Sequence, residues 1–315
     1  MTERAATRLR RRLDRVRRVF ELASILRQPI GSAEIVAYYD QCFDAYTKHH
    51  SAEGAVHMAL NPDGRFDPDG FYGQARRVEA LWAQAAPPGD VLELAFGKGL
   101  NLAYLVPRWP GVRFAGLDLT PRHVAHARSQ PELAQVALAE GDFQALPYGA
   151  ASFDLVFCVE AFCHATDVPR ALAEQARVLR PGGKLVLFDG YRTRSLEAMS
   201  EDEALAVTLV EKAMAADAFQ QIDVFIRQAA AAGLALASQE NLDSAVMPNL
   251  KRLDRLTRTF LLVPAFARSL LAKRPPMRGR NLVAGCLMPL TVGVGLHSYR
   301  QLVFTKQADG ATPMG

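Results

Sequence analysis

The stretch Val91–Asn101, VLELAFGKGLN, decides the fold of this 315-residue chain. Apolar residues with strand character run into a turn of small residues, and a leucine pattern with helical spacing follows. A strand that passes through glycines into a helix leaves free backbone N–H groups at the helix start, where a ligand can approach the main chain. The stretch predicts a ligand-binding turn at the end of a buried strand. A tight turn without a ligand is the alternative that this motif alone leaves open.

Two common nucleotide-binding motifs do not fit this turn. The dinucleotide fingerprint needs glycine or alanine at its sixth position, where this chain has Leu102. A P-loop needs Gly-Lys followed by Ser or Thr, and here Gly99 follows Lys98. The turn therefore predicts neither a dehydrogenase nor a P-loop nucleotidase.

Strand and helix patterns alternate on both sides of this turn. We predict strands at 91–95, 112–118, 135–140, 154–159 and 184–189, and helices at 99–108, 121–130 and 168–179. Such alternation is typical of a parallel sheet with right-handed crossovers and helices on both faces. Ligands bind at the carboxyl ends of the strands of such a sheet, so the chemistry is expected just after each strand.

Acidic residues stand at these positions. Asp118 ends the second predicted strand, where a carboxylate can accept hydrogen bonds from ribose hydroxyls. Asp118 can also support the start of the helix at Thr120-Pro121, and the two roles are compatible. Asp142 follows the third strand and Glu160 follows the fourth.

Together, the turn, these acids and the LRPGG segment 179–183 resemble the class I methyltransferases that use S-adenosylmethionine (SAM). The resemblance implies a Rossmann-like, seven-stranded, mostly parallel sheet, with N-terminal helices and a helical cap inserted before the last strand. It implies that this last strand, at Leu296–Thr305, runs antiparallel at the sheet edge. It implies that Glu93 and the glycine turn hold the amino-acid end of SAM, while Asp142 and Phe143 hold the adenine. Ala95 stands where the family has its first glycine. The implied cofactor-binding residues are Glu93, Ala95, Gly97, Gly99, Asn101, Asp118, Leu119, Asp142, Phe143 and Gln74.

Glu160-Ala161-Phe162-Cys163-His164 looks like the matching stretch of the sterol side-chain methyltransferases, and more loosely like that of the tocopherol methyltransferases. The resemblance covers roughly residues 75–192. It implies C-methylation of an isoprenoid or prenyl-type acceptor, with Glu160 as the base and His164 as its helper. For Glu160, a purely structural role in holding the loop is the alternative. For the protein, the alternatives are an O- or N-methyltransferase of a small natural product, quinone or phenol, or a non-catalytic SAM-binding scaffold.

Tyrosines and histidines are gathered between residues 32 and 60. Because N-terminal segments of small-molecule methyltransferases commonly cover the active site, we expect Tyr39 and Tyr46 to contact the acceptor. Ordinary aromatic packing is an equal alternative. No metal site is predicted, since no acidic residue stands at ligand spacing from the histidines. The expected domain boundaries are an N-terminal lid at 1–80, a SAM-binding core at 81–247, a helical cap at 248–290 and a last strand with its tail at 291–315.

Positive charge is concentrated near the two ends of the chain. Residues 1–30 hold nine arginines against three acids, and residues 251–280 hold nine Lys and Arg against one acid. Residues 7–27 are predicted to form one amphipathic helix. An anionic partner is therefore expected, such as a membrane surface met through 1–27 or 251–290, a phosphorylated substrate or another subunit. Solvated helix faces are the alternative. Nucleic acid is not expected, because the stretch after the fourth strand has no Asn/Asp-Pro-Pro-aromatic motif.

Four cysteines without a Cys-x-x-Cys pair, and no secretory pattern at the start, lead us to expect a reducing, cytoplasmic setting, with a peripheral membrane contact as an addition. The apolar run Leu282–Leu296 contains a proline and three glycines and is too short to span a bilayer. A homo-oligomer is a further expectation.

Overall fold

A computed structural model describes residues 2–82 and 86–308, with the backbone alone for Arg278. The strands are β1 Asp90–Leu94, β2 Arg113–Asp118, β3 Ala137–Glu140, β4 Phe153–Val159, β5 Leu179–Arg192, β6 Leu234–Asn241 and β7 His297–Lys306. The helices are α1 Glu3–Arg17, α2 Leu22–Leu26, α3 Ser32–Ala45, α4 Gly73–Ala80, α5 Leu100–Leu105, α6 Pro121–Arg128, α7 Val168–Val178, α8 Glu201–Ala213, α9 Ile222–Ala231, α10 Asp243–Phe260, α11 Pro264–Leu271 and α12 Pro276–Gly293. Across the described ranges, none of the helices is both long and apolar enough to cross a membrane.

The seven strands form one sheet in the order β3-β2-β1-β4-β5-β7-β6. The first five strands pair in parallel, and β7 pairs antiparallel with both of its neighbours. Buried apolar side chains from both faces of the sheet pack against helices on either side. The predicted seven-stranded, mostly parallel α/β fold is therefore confirmed.

The prediction that the last strand lies at the sheet edge is wrong. β7 lies between β5 and β6, and it is buried along most of its length. β6 is the edge strand, and all but the first two of its eight residues are exposed. The polar residues Ser238, Gln239 and Glu240 suit a solvated edge, whereas the apolar Leu302, Val303 and Phe304 of β7 require cover on both sides.

The basic N-terminal segment forms two helices, α1 and α2, rather than the one helix predicted over 7–27. Leu9, Leu13 and Val16 of α1 are buried in the core, so the apolar face of this helix is used within the fold. Arg12 is buried as well, and its guanidinium pairs with Asp254 of α10. This ion pair brings the basic N-terminal helix beside the second basic segment.

The helical cap consists of α10, α11 and α12 and runs from Asp243 to Gly293, beyond the predicted limits of 248 and 290 at both ends. Helix α10 begins five residues before Pro248, at Asp243. The Asp243 carboxylate fixes this start by accepting hydrogen bonds from the Tyr299 amide and the Ser298 hydroxyl. The tail of the predicted 291–315 unit, residues 309–315, lies outside the described residues.

Candidate active site

A cleft opens at the carboxyl ends of β1, β2 and β4, where the strand pattern predicted a site. Helix α3 and the segment that follows it contribute its other wall. Nine of the predicted site residues line the cleft: Tyr39, Ala95, Gly97, Asp118, Leu119, Asp142, Phe143, Glu160 and His164. Glu93, Gly99, Asn101, Gln74 and Tyr46 do not line it.

The turn after β1 has the conformation that glycine favours at three positions. Ala95 has φ +51°, Gly97 has φ +58° and Gly99 has φ +85°. A side chain at Gly97 would also clash, because a Cβ there would lie 2.8 Å from Cγ2 of Val56. Ala95 thus adopts the left-handed backbone of the glycine it replaces, at a cost of about 1–2 kcal/mol.

Beneath this turn lie Glu93 and Asn101, both fully enclosed. The Asn101 Nδ2 donates to Glu93 Oε1 over 2.8 Å, while Glu93 Oε2 and Asn101 Oδ1 have no partner among the described residues. Burial, with a smaller contribution from Asp118, raises the pKa of Glu93 to about 8. Unpartnered buried oxygens beside a glycine turn suit a group that brings hydrogen-bond donors, as the amino-acid end of SAM does.

Asp118 stabilises the glycine turn at Ala95–Gly99. Its carboxylate accepts hydrogen bonds from the backbone N–H of Gly97 and of Thr120, each over 2.8 Å. His123 Nδ1 lies 3.3 Å from the same carboxylate, and its Nε2 has no partner in the described part of the chain. His123 also lines the cleft, and it could not be predicted from the sequence, because a histidine two residues after a helix-starting proline belongs to no motif.

The adenine end of the predicted site is formed by Asp142 and Phe143, which follow β3. The Asp142 carboxylate accepts hydrogen bonds from the backbone and the side chain of Gln144. The Phe143 ring stacks on Phe162, with centroids 5.4 Å apart and an angle of 28° between the planes. This arrangement places one carboxylate and one flat apolar face side by side on the cleft wall.

The most unusual residue of the cleft is Glu160. Its backbone has φ +52°, which is rare for any residue except glycine and marks a conformation that the surrounding structure enforces. Its Oε1 accepts hydrogen bonds from the Met58 amide over 2.7 Å and from the Tyr299 hydroxyl over 2.8 Å. Removal from water is the main cause that raises the pKa of Glu160 to about 8. A strained, desolvated carboxylate on a cleft wall is typical of a functional group.

A buried hydrogen-bond network lies behind Glu160, and it includes Gln74, one of the predicted cofactor residues. Gln74 lies behind the cleft, and its Nε2 donates to the Met58 carbonyl over 2.7 Å and to the Tyr299 hydroxyl over 3.1 Å. Gln74 thereby orients both donors of Glu160. Tyr299 could not be predicted as a partner of Glu160, because 139 residues separate the two in sequence and only the pairing of β7 brings them together.

His164 is paired with Tyr39 of α3. The His164 Nδ1 lies 3.0 Å from the Ala215 carbonyl, which only accepts hydrogen bonds, so this nitrogen carries the proton. Burial lowers the pKa of His164 to about 4, so the ring is neutral and Nε2 accepts from the Tyr39 hydroxyl at 2.9 Å. His164 therefore positions Tyr39, and both residues line the cleft.

Helix α3 is fastened over the cleft at several points. Lys98, from the glycine turn, donates to the Phe43 carbonyl over 2.8 Å and to the Thr47 hydroxyl. Arg122 of α6 pairs with Asp44 over 3.0 Å. Tyr46 contacts the Tyr38 hydroxyl at 3.2 Å and stacks near Tyr39, so it supports the wall from behind. These contacts link the lid directly to the predicted cofactor turn.

Comparison with known proteins agrees with this geometry. Residues 92–187 match the family described as methyltransferase domain. Demethylmenaquinone methyltransferase of Deinococcus radiodurans is 40% identical over 116 residues, which cover 36% of this chain and 48% of that enzyme. The chain thus spans about half the length of this curated relative.

Two solved structures share the fold over most of the chain. The [4+2]-cyclase SpnF has a TM-score of 0.69 at 18% identity, covering 90% of this chain and all of that one. Geranyl diphosphate C-methyltransferase from Streptomyces coelicolor, solved with Mg²⁺, geranyl diphosphate and S-adenosyl-L-homocysteine, has a TM-score of 0.66 at 14% identity, covering 87% and 97%. Residues 92–187 therefore match a methyltransferase domain in sequence, and the glycine turn, Asp118, Asp142 and Glu160 of this stretch lie on one cleft.

Proposed function

We propose that this protein transfers the methyl group of SAM to a carbon atom of a small, largely apolar acceptor of the isoprenoid or prenyl type, with Glu160 as the base. The observation that carries the proposal is Glu160 itself. It is a desolvated carboxylate with an enforced backbone and two hydrogen-bond donors on one oxygen, and it lines the same cleft as the cofactor residues.

The part of the cleft formed by the glycine turn, Asp118, Asp142 and Phe143, called the cofactor half below, supplies complementary groups for SAM. The turn at Ala95–Gly99, with the Glu93–Asn101 pair buried beneath it, suits the amino-acid end of SAM, Asp118 suits its ribose, and Asp142 with Phe143 suits its adenine. Bound SAM supplies an activated methyl group on a sulfonium. The protein then has to align the acceptor and exclude water, which the fastened lid does.

Glu160 would act after the methyl group has moved. The carbon–sulfur bond breaks as the new carbon–carbon bond forms, and the alkene acceptor is left with a positive charge. By then the positive charge of bound SAM, which favours the ionised form of a neighbouring carboxyl group, has lowered the pKa of Glu160 from about 8, so Glu160 has already released its own proton to solvent. The Glu160 carboxylate then accepts a proton from a neighbouring carbon, and the double bond is restored.

Tyr39 would stabilise the same charge from the lid side. Tyr39 lines the cleft and donates its hydroxyl proton to His164, so its electron-rich side chain would stabilise a cation there. In this proposal His164 positions Tyr39, and the two residues belong to the acceptor half of the cleft, where the methyl acceptor would bind.

A second candidate is O-methylation of a phenol or quinol, and the Tyr39–His164 pair is the observation that favours it. A neutral imidazole that accepts from a tyrosine hydroxyl can take up a phenolic proton through that tyrosine. This route needs proximity and one base, and it leaves Glu160 without a chemical role.

A labelled-methyl assay distinguishes the two candidates. The full-length protein is incubated with methyl-labelled SAM and a panel of prenyl alcohols, prenyl diphosphates, sterols and phenols, and NMR locates the label in the product. We expect a new methyl group on carbon. A label found only on oxygen would contradict the C-methylation proposal. Absence of binding to both SAM and S-adenosylhomocysteine by calorimetry would contradict methyl transfer and SAM binding together.

A further inference from the structure

Exposed apolar side chains are concentrated at one place, around the turn between α10 and α11. Leu256, Leu262, Val263 and Phe266 are 54%, 61%, 58% and 58% exposed. Among the described residues, a single other large apolar side chain is exposed, Leu236 on the edge strand at 39%. Four large apolar groups within eleven residues form a patch that water solvates poorly.

Positive charge surrounds this apolar patch. The exposed cations on the same two helices and just after them are Lys251, Arg255, Arg258, Arg268, Lys273 and Arg274. Asp254 is the sole acid in the sequence between 244 and 308, and Arg12 pairs with it. The patch and these six cations, called the docking surface below, therefore carry no free carboxylate.

A groove continues the docking surface toward the N-terminal helices. It lies between α2, α11 and α12 and holds about 290 Å³. Phe20 and Leu271 give it apolar walls, Arg268 and Arg280 add two guanidinium groups, and Glu21 adds one carboxylate at its rim. Apolar surface beside cations thus extends from the α10–α11 turn into a concave site.

We propose that the docking surface binds the surface of an anionic lipid bilayer, with the four apolar side chains inserted among the lipids and the cations on the headgroups. Large apolar groups next to Lys and Arg are the composition that binds such an interface. A soluble anion would use the cations and leave the four apolar side chains in water, so the bilayer accounts for both halves of the surface.

The docking surface is connected to the lid of the cleft. Arg252 of α10 donates to the carbonyls of His50 and His49 over 3.1 and 3.0 Å, at the end of the helical segment that continues α3. Asn249 of α10 accepts from the Ala59 amide over 3.1 Å. A membrane contact at α10 would therefore bear on the lid. Membrane binding itself does not depend on the proposed function. The idea that it delivers an apolar acceptor to the cleft does rest on that function.

Vesicle co-sedimentation of the full-length protein tests the proposal. We expect binding to vesicles of phosphatidylglycerol and phosphatidylcholine in 50 mM salt, much weaker binding to phosphatidylcholine alone, and loss of binding in 500 mM salt. One basic residue near such a surface contributes a factor of about five, so Arg255→Glu with Arg258→Glu should weaken binding more than ten-fold. Leu262→Asp with Phe266→Asp should weaken it by at least as much.

Matched controls keep the test specific. Leu236→Asp changes an exposed leucine outside the docking surface, and Arg227→Glu reverses an exposed arginine on α9, so both should bind vesicles like the wild type. The proposal fails if the wild type ignores anionic vesicles or if the controls weaken binding as much as the variants. It also fails if sedimentation velocity shows a dimer that Leu262→Asp with Phe266→Asp dissociates, without vesicle binding. Calorimetry with SAM on the same proteins reports separately on the proposed function.

Discussion

The two halves of the cleft are built in different ways. In the cofactor half, Asp118 is the last residue of its strand, and Ala95, Gly97 and Asp142 follow within three residues of a strand end, so backbone turns place them. In the acceptor half, Glu160 is held by groups from residues 58 and 299, and Tyr39 is held by His164. The cofactor half is therefore encoded by short local motifs, while the acceptor half depends on contacts between distant segments. Substitutions in the two halves should accordingly separate SAM binding from turnover.

The largest expected effect is in the acceptor half. Glu160→Gln keeps the shape of the side chain and removes its ability to take a proton, so turnover should fall by about 10²–10⁴-fold while SAM affinity stays near that of the wild type. Steady-state kinetics and calorimetry measure the two quantities. Glu140→Gln, at an exposed carboxylate that ends β3, should change neither. Near-normal turnover of Glu160→Gln would remove the base assignment, and joint loss of turnover and SAM binding would make Glu160 structural.

In the cofactor half, Asp118→Ala should act on binding. It removes an acceptor of two backbone N–H groups and of the expected ribose hydroxyls, so SAM affinity should fall by about 1–3 kcal/mol. Calorimetric titration gives the dissociation constant, with Asp223→Ala on the surface of α9 as the control. An unchanged dissociation constant would show that the cofactor lies elsewhere in the cleft.

The strands, the turn and the acids could be predicted because each belongs to one short stretch of sequence. The place of β7 in the sheet could not, since a strand pattern does not specify its neighbours. Tyr299 could not be predicted for the same reason, because its contacts with Gln74 and with Glu160 exist only after β7 has paired. His164 was predicted to help Glu160, but its tautomer and its bond to Tyr39 depend on the Ala215 carbonyl and on α3.

A smaller effect is expected at the lid. Tyr39→Phe removes the hydroxyl that His164 holds, and one hydrogen bond contributes about 0.5–1.5 kcal/mol, so turnover should fall by roughly two- to ten-fold with SAM affinity unchanged. Tyr72→Phe, outside the cleft, is the matched control. If Tyr39→Phe instead weakens SAM binding and leaves turnover intact, Tyr39 belongs to the cofactor half.

The smallest effect concerns stability and tests the turn itself. Ala95→Gly relieves a left-handed backbone at φ +51°, so the free energy of unfolding should rise by a few tenths to about 1 kcal/mol. Ala103→Gly, within α5, should lower the same free energy by about 1 kcal/mol. Urea unfolding measures both variants. Equal destabilisation by the two substitutions would mean that Ala95 is not strained.

The central claim is that Glu160 lies beside the sulfonium of SAM and holds a proton until a positive charge arrives. Because a positive charge lowers the pKa of a neighbouring carboxyl group from about 8, SAM binding at pH 7.5 should release roughly half a proton from Glu160. Calorimetry in buffers of different ionisation enthalpy counts these protons, and the difference between wild type and Glu160→Gln isolates this residue from other titrating groups. We predict that this difference is present with SAM and absent with S-adenosylhomocysteine, whose sulfur is neutral. Equal proton release by wild type and Glu160→Gln on binding SAM would contradict the account.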